Sequence, residues 1–368
     1  MLNKGQSGRS GNRLVDMRLQ GNRPGDADAA GRLTREQLQL LEQRKKTPAQ
    51  RAMDFVITLL PMLCCLIAVL EYLLVPDRYD NDAPERYLVL LVLPAVIYAV
   101  FWAVSLSRLK STSRLYQRLR YKAPLYAAVF LLLAVFDFAT LKTGYLTQPF
   151  IPWVNSIINA AIGDWQYLGI STLYTLRLLF LGYFSGVAAG LITGIACGYS
   201  QKVRYWVDPI IRILGPIPTA TWVPLVMILA ASLFGGSVFI VALGTWFAVT
   251  IASMTGIANI DRSYFEAART LGAKGSQLVF RVAIPQAMPS ILQGMTQGMS
   301  SACVSLMVAE MLGVEAGLGW YITWAKAWAM YNRLFAAIVV ICLVFNAVTK
   351  SLNLFKKRVL RWQEGMVK

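Results

Sequence analysis

Along this chain, blocks of about twenty apolar residues alternate with shorter polar and basic intervals, and the alternation occurs eight times. The apolar blocks fall at 55–75, 87–107, 124–142, 171–198, 216–234, 237–257, 291–313 and 333–354. Each is long enough to cross the hydrocarbon core as a helix, which satisfies its backbone hydrogen bonds internally. The ten-residue alternation of a β-barrel is absent. The pattern predicts an all-α polytopic membrane protein with eight spans. About fifty polar residues precede the first block, so that block is expected to persist as a span and not as a leader.

The polar stretches have their own signals. Residues 1–32 show no apolar period and predict disorder. Thr34 and Gln37 have capping-box spacing between Leu33 and Leu38, which predicts a helix from Arg35. Thr47-Pro48 predicts a second start that feeds the first span. Asp208-Pro209 reads as a helix start and Gly215-Pro216-Ile217-Pro218 as a break, giving a short amphipathic surface helix. Trp320, Trp324 and Trp328 recur every fourth residue, so the stretch 314–331 should hold a short helix with an aromatic, interfacial face.

Charge adds orientation. The chain is 56% apolar and 15% charged with a net charge of +17. Its basic residues lie between spans and not on a soluble face, which argues against nucleic-acid binding. With the N-terminus inside, the intervals 1–54, 108–123, 199–215, 258–290 and 350–368 hold 30 of the 36 Lys and Arg residues. This bias predicts both termini on the cytoplasmic side. There is no histidine, and Cys64, Cys65, Cys197, Cys303 and Cys342 all fall within spans. Neither a metal site nor a disulfide framework is expected.

Within the spans, Gly182, Gly186, Gly190, Gly194 and Gly198 stand on every fourth residue, and Gly294 and Gly298 repeat the spacing. Such ridges let helices approach backbone to backbone. Asp137, Arg177 and Glu310 are ionisable residues inside spans, where charge must face protein or water. Arg177 and Glu310 are candidates for a translocation pathway. Equally, Arg177 could form a structural ion pair with Asp137 or Glu310, or snorkel to the outer surface.

The polar interlude Glu266–Pro285, EAARTLGAKGSQLVFRVAIP, has no use inside a bilayer. Gly272 permits the backbone that ends a helix, and Pro285 suits the first turn of the next. Glu266-Ala267-Ala268, Gly272, Val282 and Pro285 resemble the "EAA" loop of ABC importer permeases, with Val282 where that pattern usually has Ile. Further positions are similar to the nitrate, sulfonate, taurine and bicarbonate branch of binding-protein-dependent permeases. They are Ser171-Thr172-Leu173 with Arg177 and Gly182, Asp208-Pro209, Pro216-Ile217-Pro218 with Pro224, Ala309-Glu310-Met311 and Gly317-Leu318-Gly319.

The resemblance implies a type I ABC importer permease core of six helices at 124–356, with a cytoplasmic coupling loop at 258–290. Residues 51–123 would then be two extra N-terminal spans and a basic loop, 1–50 a cytoplasmic extension, and 357–368 a basic tail. It also implies that Ser263 to Leu271 form a coupling helix, with Glu266, Ala267, Ala268, Leu271, Gly272 and Pro285 as ATPase-coupling residues. ATP and magnesium belong to partner ATPase subunits, since no Walker A pattern occurs in this chain. An external solute-binding protein, a permease homodimer and a bacterial inner membrane complete the expectation, with a small anion as solute. The alternatives are an importer of a pyrimidine-type vitamin precursor, an ion-coupled secondary transporter, which would need paired broken helices in two related halves, and a non-transporting membrane anchor.

Overall fold

A computed structural model describes residues 48–107, 114–146 and 149–361. The expectations for residues 1–32, the helix from Arg35, Thr47 and the end of the tail lie outside the described residues. Among the described residues the regular structure is helical throughout, with no strand.

Three helices form a first layer: α1 (Pro48–Leu74), α2 (Glu85–Ser107) and α3 (Arg114–Asp137), the last continued by a π-turn over Phe138–Lys142. Cys65, Ala68 and Tyr72 of α1 pack against Phe130 and Ala134 of α3, with Tyr87 and Leu91 of α2 closing the cluster. A short helix, α4 (Val154–Gly163), precedes the long α5 (Trp165–Tyr199). The sequence pattern gave no notice of α4. The loop between α1 and α2 docks on it: Asn155 Nδ2 donates to Asn81 Oδ1 and to the Asp82 carbonyl, both at 2.7 Å, and Trp153 Nε1 donates to Asn81 at 3.2 Å. α1 and α2 are therefore tied through their connecting loop to α4 by polar bonds.

The centre is a three-helix slab of α5, α8 (Leu233–Ala258) and α10 (Ile284–Gly313). Leu178, Leu179, Tyr183 and Val187 meet Val241 and Val249 of α8 and Met299, Cys303 and Leu306 of α10. The glycine ridge explains how closely α5 and α8 approach. A Cβ at Gly182 would lie 2.6 Å from Val241 Cβ, at Gly190 2.8 Å from Val249 Cβ, at Gly194 2.6 Å from Ser253 Cβ, and at Gly198 2.7 Å from Ile257 Cβ. At Gly186 it would run into the Ala242 carbonyl and Thr245 Cβ. Gly294 and Gly298 do the same on the other side of α8, against Ala252 and Thr245. Overpacking such contacts costs about 1–3 kcal/mol per site.

Among the described residues, six stretches are long and apolar enough to cross a bilayer: those in α1, α2, α3 with its π-turn, α5, α8 and α12 (Tyr331–Val359). Two bent pairs bring the number to eight if each is counted as a span. One of them corrects an expectation. The block at 216–234 is not a straight helix but a 3-10 turn, Thr219–Trp222, followed by α7 (Val223–Leu229), which ends at Ala230 before α8 begins. Pro216, Pro218 and Pro224 each remove a backbone donor, which hydropathy does not weigh. This segment meets α6 (Gln201–Leu214) at 86°.

A second correction concerns α6 itself. It starts after the extended backbone of Ser200, so Asp208-Pro209 lies within the helix and not at its start. Asp208 instead pairs with Arg212 one turn on, at 2.7 Å. Pro209 is tolerated because α6 is largely exposed, leaving the freed carbonyl of Tyr205 open to solvation.

Candidate functional site

The Glu266 loop forms at the end of α8. Asp261 caps α9 (Arg262–Thr270), its carboxylate accepting from the Ser263 N–H at 2.9 Å. These hydrogen bonds, backbone first, hold the Asp261 carboxyl below the usual carboxylate range. Glu266, Ala267, Arg269 and Leu271 are exposed, and Leu271 is 88% accessible. One side chain turns inward: Phe265 packs on Ile257, Ala283, Ala287 and Ile291, which seats the helix on the ends of α8 and α10. The helix stops at Gly272, whose φ of +84° is the left-handed conformation that a side chain resists, while the Ala273 N–H returns to the Ala268 carbonyl at 3.0 Å. A π-turn over Leu278–Ala283 follows and runs without a break into α10, so Pro285, expected to open a new helix, instead lies inside a continuous helical stretch just after that turn. The result is a short, capped, outward-facing helix fixed by one aromatic anchor to the two central helices.

At the opposite end of the slab, Glu310 is buried, and its surroundings are those of a helix cap. Its Oε2 accepts from the Gly319 N–H at 2.8 Å and from the Thr175 hydroxyl at 3.1 Å, and Thr175 in turn accepts from the Leu318 N–H at 2.9 Å. These are the first amides of α11 (Leu318–Ala327), so a carboxylate on α10 and a hydroxyl on α5 satisfy the orphan donors of a third helix. Gly317 is needed twice. Its φ is +108°, and any Cβ there would collide with the Glu310 carboxylate. Sequence reasoning missed Thr175, although it lies one turn after Ser171 on the same buried face of α5.

Arg177 is exposed and lies over the Phe234 ring, 5.2 Å from its centroid. Among the described residues no ion pair joins it to Asp137 or Glu310, so neither of the anticipated structural pairs forms. Asp137 is buried where α3 passes into its π-turn, in another part of the molecule, and neither carboxylate oxygen has a hydrogen-bond partner. In α11, Trp320 and Trp324 stack at 6.4 Å, while Tyr321 turns inward and donates to Asp164 Oδ2. Asp164 also pairs with Arg333 at 2.9 Å, which ties the start of α5 to α11 and α12.

A family model for the binding-protein-dependent transport system inner membrane component matches residues 186–361, from the second glycine of the ridge to the end of the last helix. The chain is 31% identical over 185 residues to the aliphatic sulfonates transport permease protein SsuC of Bacillus subtilis, covering 50% of this chain and 67% of that one. It is 32% identical to a chain of Methanocaldococcus jannaschii named as an ABC transporter permease, covering 38% and 55% respectively. It is 30% identical over 124 residues to the taurine transport system permease protein TauC of Escherichia coli, covering 34% of this chain and 44% of that one. The chain thus spans about half the length of the curated relatives it matches. It belongs to the family of binding-protein-dependent transport system inner membrane components, the permeases of ABC transporters, in the branch that includes the sulfonate and taurine proteins.

Proposed function

We propose that this chain is the membrane-spanning permease subunit of an ATP-driven importer, and that it moves a small anion, such as a sulfonate, handed to it by an external binding protein. The observation that carries the proposal is α9: a short exposed helix, capped by Asp261 and closed by Gly272, with Phe265 as its anchor in the slab. A helix presented in this way can be pushed from outside and transmit the displacement to α8 and α10. Glu266, Ala267, Ala268, Leu271, Gly272 and Pro285 form the coupling surface in this reading, and the partner ATPases supply ATP and magnesium. Two ATPases call for two loops, hence a permease homodimer. Residues 124–356 act as the core, and both termini face the cytoplasm of a bacterial cell, with the charge bias as the support. The sulfonate and taurine names of the relatives support the substrate class.

The test is reconstitution in proteoliposomes with the ATPase and binding-protein partners. ATP-dependent uptake of taurine or an alkanesulfonate is expected. In the Gly272→Val variant, ATP hydrolysis should continue while uptake falls, because the left-handed turn carries a steric cost of about 1–2 kcal/mol for a residue with a Cβ. Uptake driven by an ion gradient without ATP would overturn the proposal.

A further inference from the structure

Helix α10 carries a second feature, a stripe whose one edge, at Ser290, touches Gly256 of α8 and which otherwise runs outside that contact. From Gln286 to Ser300 its exposed positions are Gln286, Ser290, Gln293, Gln297 and Ser300. At about 100° per residue these five fall within an arc of about 80°, and the buried positions Ile291, Leu292, Gly294, Gly298 and Met299 occupy the remainder. Only beyond this stretch does the same stripe become apolar, at Val304, which is 62% exposed. A continuous polar stripe along the inner half of a membrane helix cannot face lipid tails, which offer no hydrogen-bond partners.

We propose that this stripe lines the solute passage, with Gln293, Gln297 and Ser300 as the hydrogen-bonding lane for a small oxyanion. This rests on the reading of the chain as a permease and adds the surface along which the solute moves. Neutral amide and hydroxyl donors suit such a lane. They can donate to sulfonate or similar oxygens in turn, and the cation at the inner end of the lane, Lys356 of α12, is engaged by Gln293. Lys356 Nζ donates to the side-chain oxygen Oε1 of Gln293, so that bond does not use the Gln293 side-chain N–H groups as donors. Near the upper end of the lane, Ser301 and Ser305 lie beside Gly244. The Thr219 hydroxyl reaches Ser305 at 2.6 Å, so the broken segment after Pro218 is held against the same helix.

The experiment places single cysteines in the full chain after the five native cysteines are replaced by alanine or serine. Gln297→Cys and Gln293→Cys are compared with Phe184→Cys, at an exposed apolar position of α5. Each is reacted in membranes with a charged methanethiosulfonate, whose thio sulfur is attacked by the cysteine thiolate, present only where water reaches, to give a mixed disulfide and methanesulfinate. The expected result is labelling at 297 and 293 about tenfold faster than at 184, slowed by added taurine or alkanesulfonate. Labelling at 297 as slow as at 184, or spontaneous crosslinking of 297 between two copies without labelling, would overturn the proposal by making the stripe a dry contact. Labelling needs no transport, so the outcome separates this inference from the permease reading: a wet stripe without uptake would count against that reading, while uptake with a dry stripe would count against this one.

Discussion

α5 and α10 both lean on α8, and both leave one face uncovered. On α5 that face is Leu173, Phe180, Leu181, Phe184 and Ile192; on the inner half of α10 it is Gln286, Gln293, Gln297 and Ser300, with Ser290 at its edge against Gly256 of α8. The packed faces of the two are built alike, from glycine and small residues against α8. The difference in the free faces therefore does not come from how the helices pack but from what each one meets outside the slab. An apolar free face suits lipid, and a polar one suits water or solute. Arg177 belongs to the first helix and is exposed on it, stacked on Phe234 near the far end, so the case for a solute lane is stronger on α10 than around Arg177.

The sharpest way to break this comparison is a charge on each face. Phe184→Arg should cost about 2.5–3.5 kcal/mol of insertion at the middle of a span, seen as a severe loss of membrane-inserted protein, whereas Gln297→Arg should insert at the normal level. Equal losses would erase the distinction. The shared packed face is tested by Gly186→Leu, which pushes into the Ala242 backbone and Thr245. It should lower stability by about 1–3 kcal/mol, measured as thermal unfolding in detergent, while Gly163→Ala, with nothing within 4 Å, should not.

An effect of similar size is expected where α5 and α10 cooperate. Glu310→Ala strands the Gly319 N–H and Thr175 hydroxyl, at about 1–3 kcal/mol. If the transition midpoint of that variant matched the parent, Glu310 would not be the cap described. The smallest effect concerns α9. Because the folded Asp261 carboxyl titrates below its ordinary value, its capping is present above the unfolded pKa of about 4. It is lost as pH falls through the lower folded value. Amide exchange at Ser263 should therefore speed up in Asp261→Ala at neutral pH, and in the parent only under acid.

Much of this protein was legible in residue order. The apolar blocks gave the membrane helices because hydrocarbon forces backbone groups to pair within a segment. The fourfold glycine spacing gave the tight face of α5, and Glu266–Pro285 gave the capped loop and the family. Three things came only from the folded chain. Hydropathy could not distinguish a straight span from the proline-broken segment at 219–229, since it counts side chains and not lost donors. The role of Glu310 depends on Thr175 and Gly319, and Thr175 lies 135 residues away, so no local pattern could signal the cap. The polar stripe on α10 is visible as residues in the sequence, but only the packing of α8 against Gly294 and Gly298 decides which face of that helix remains free.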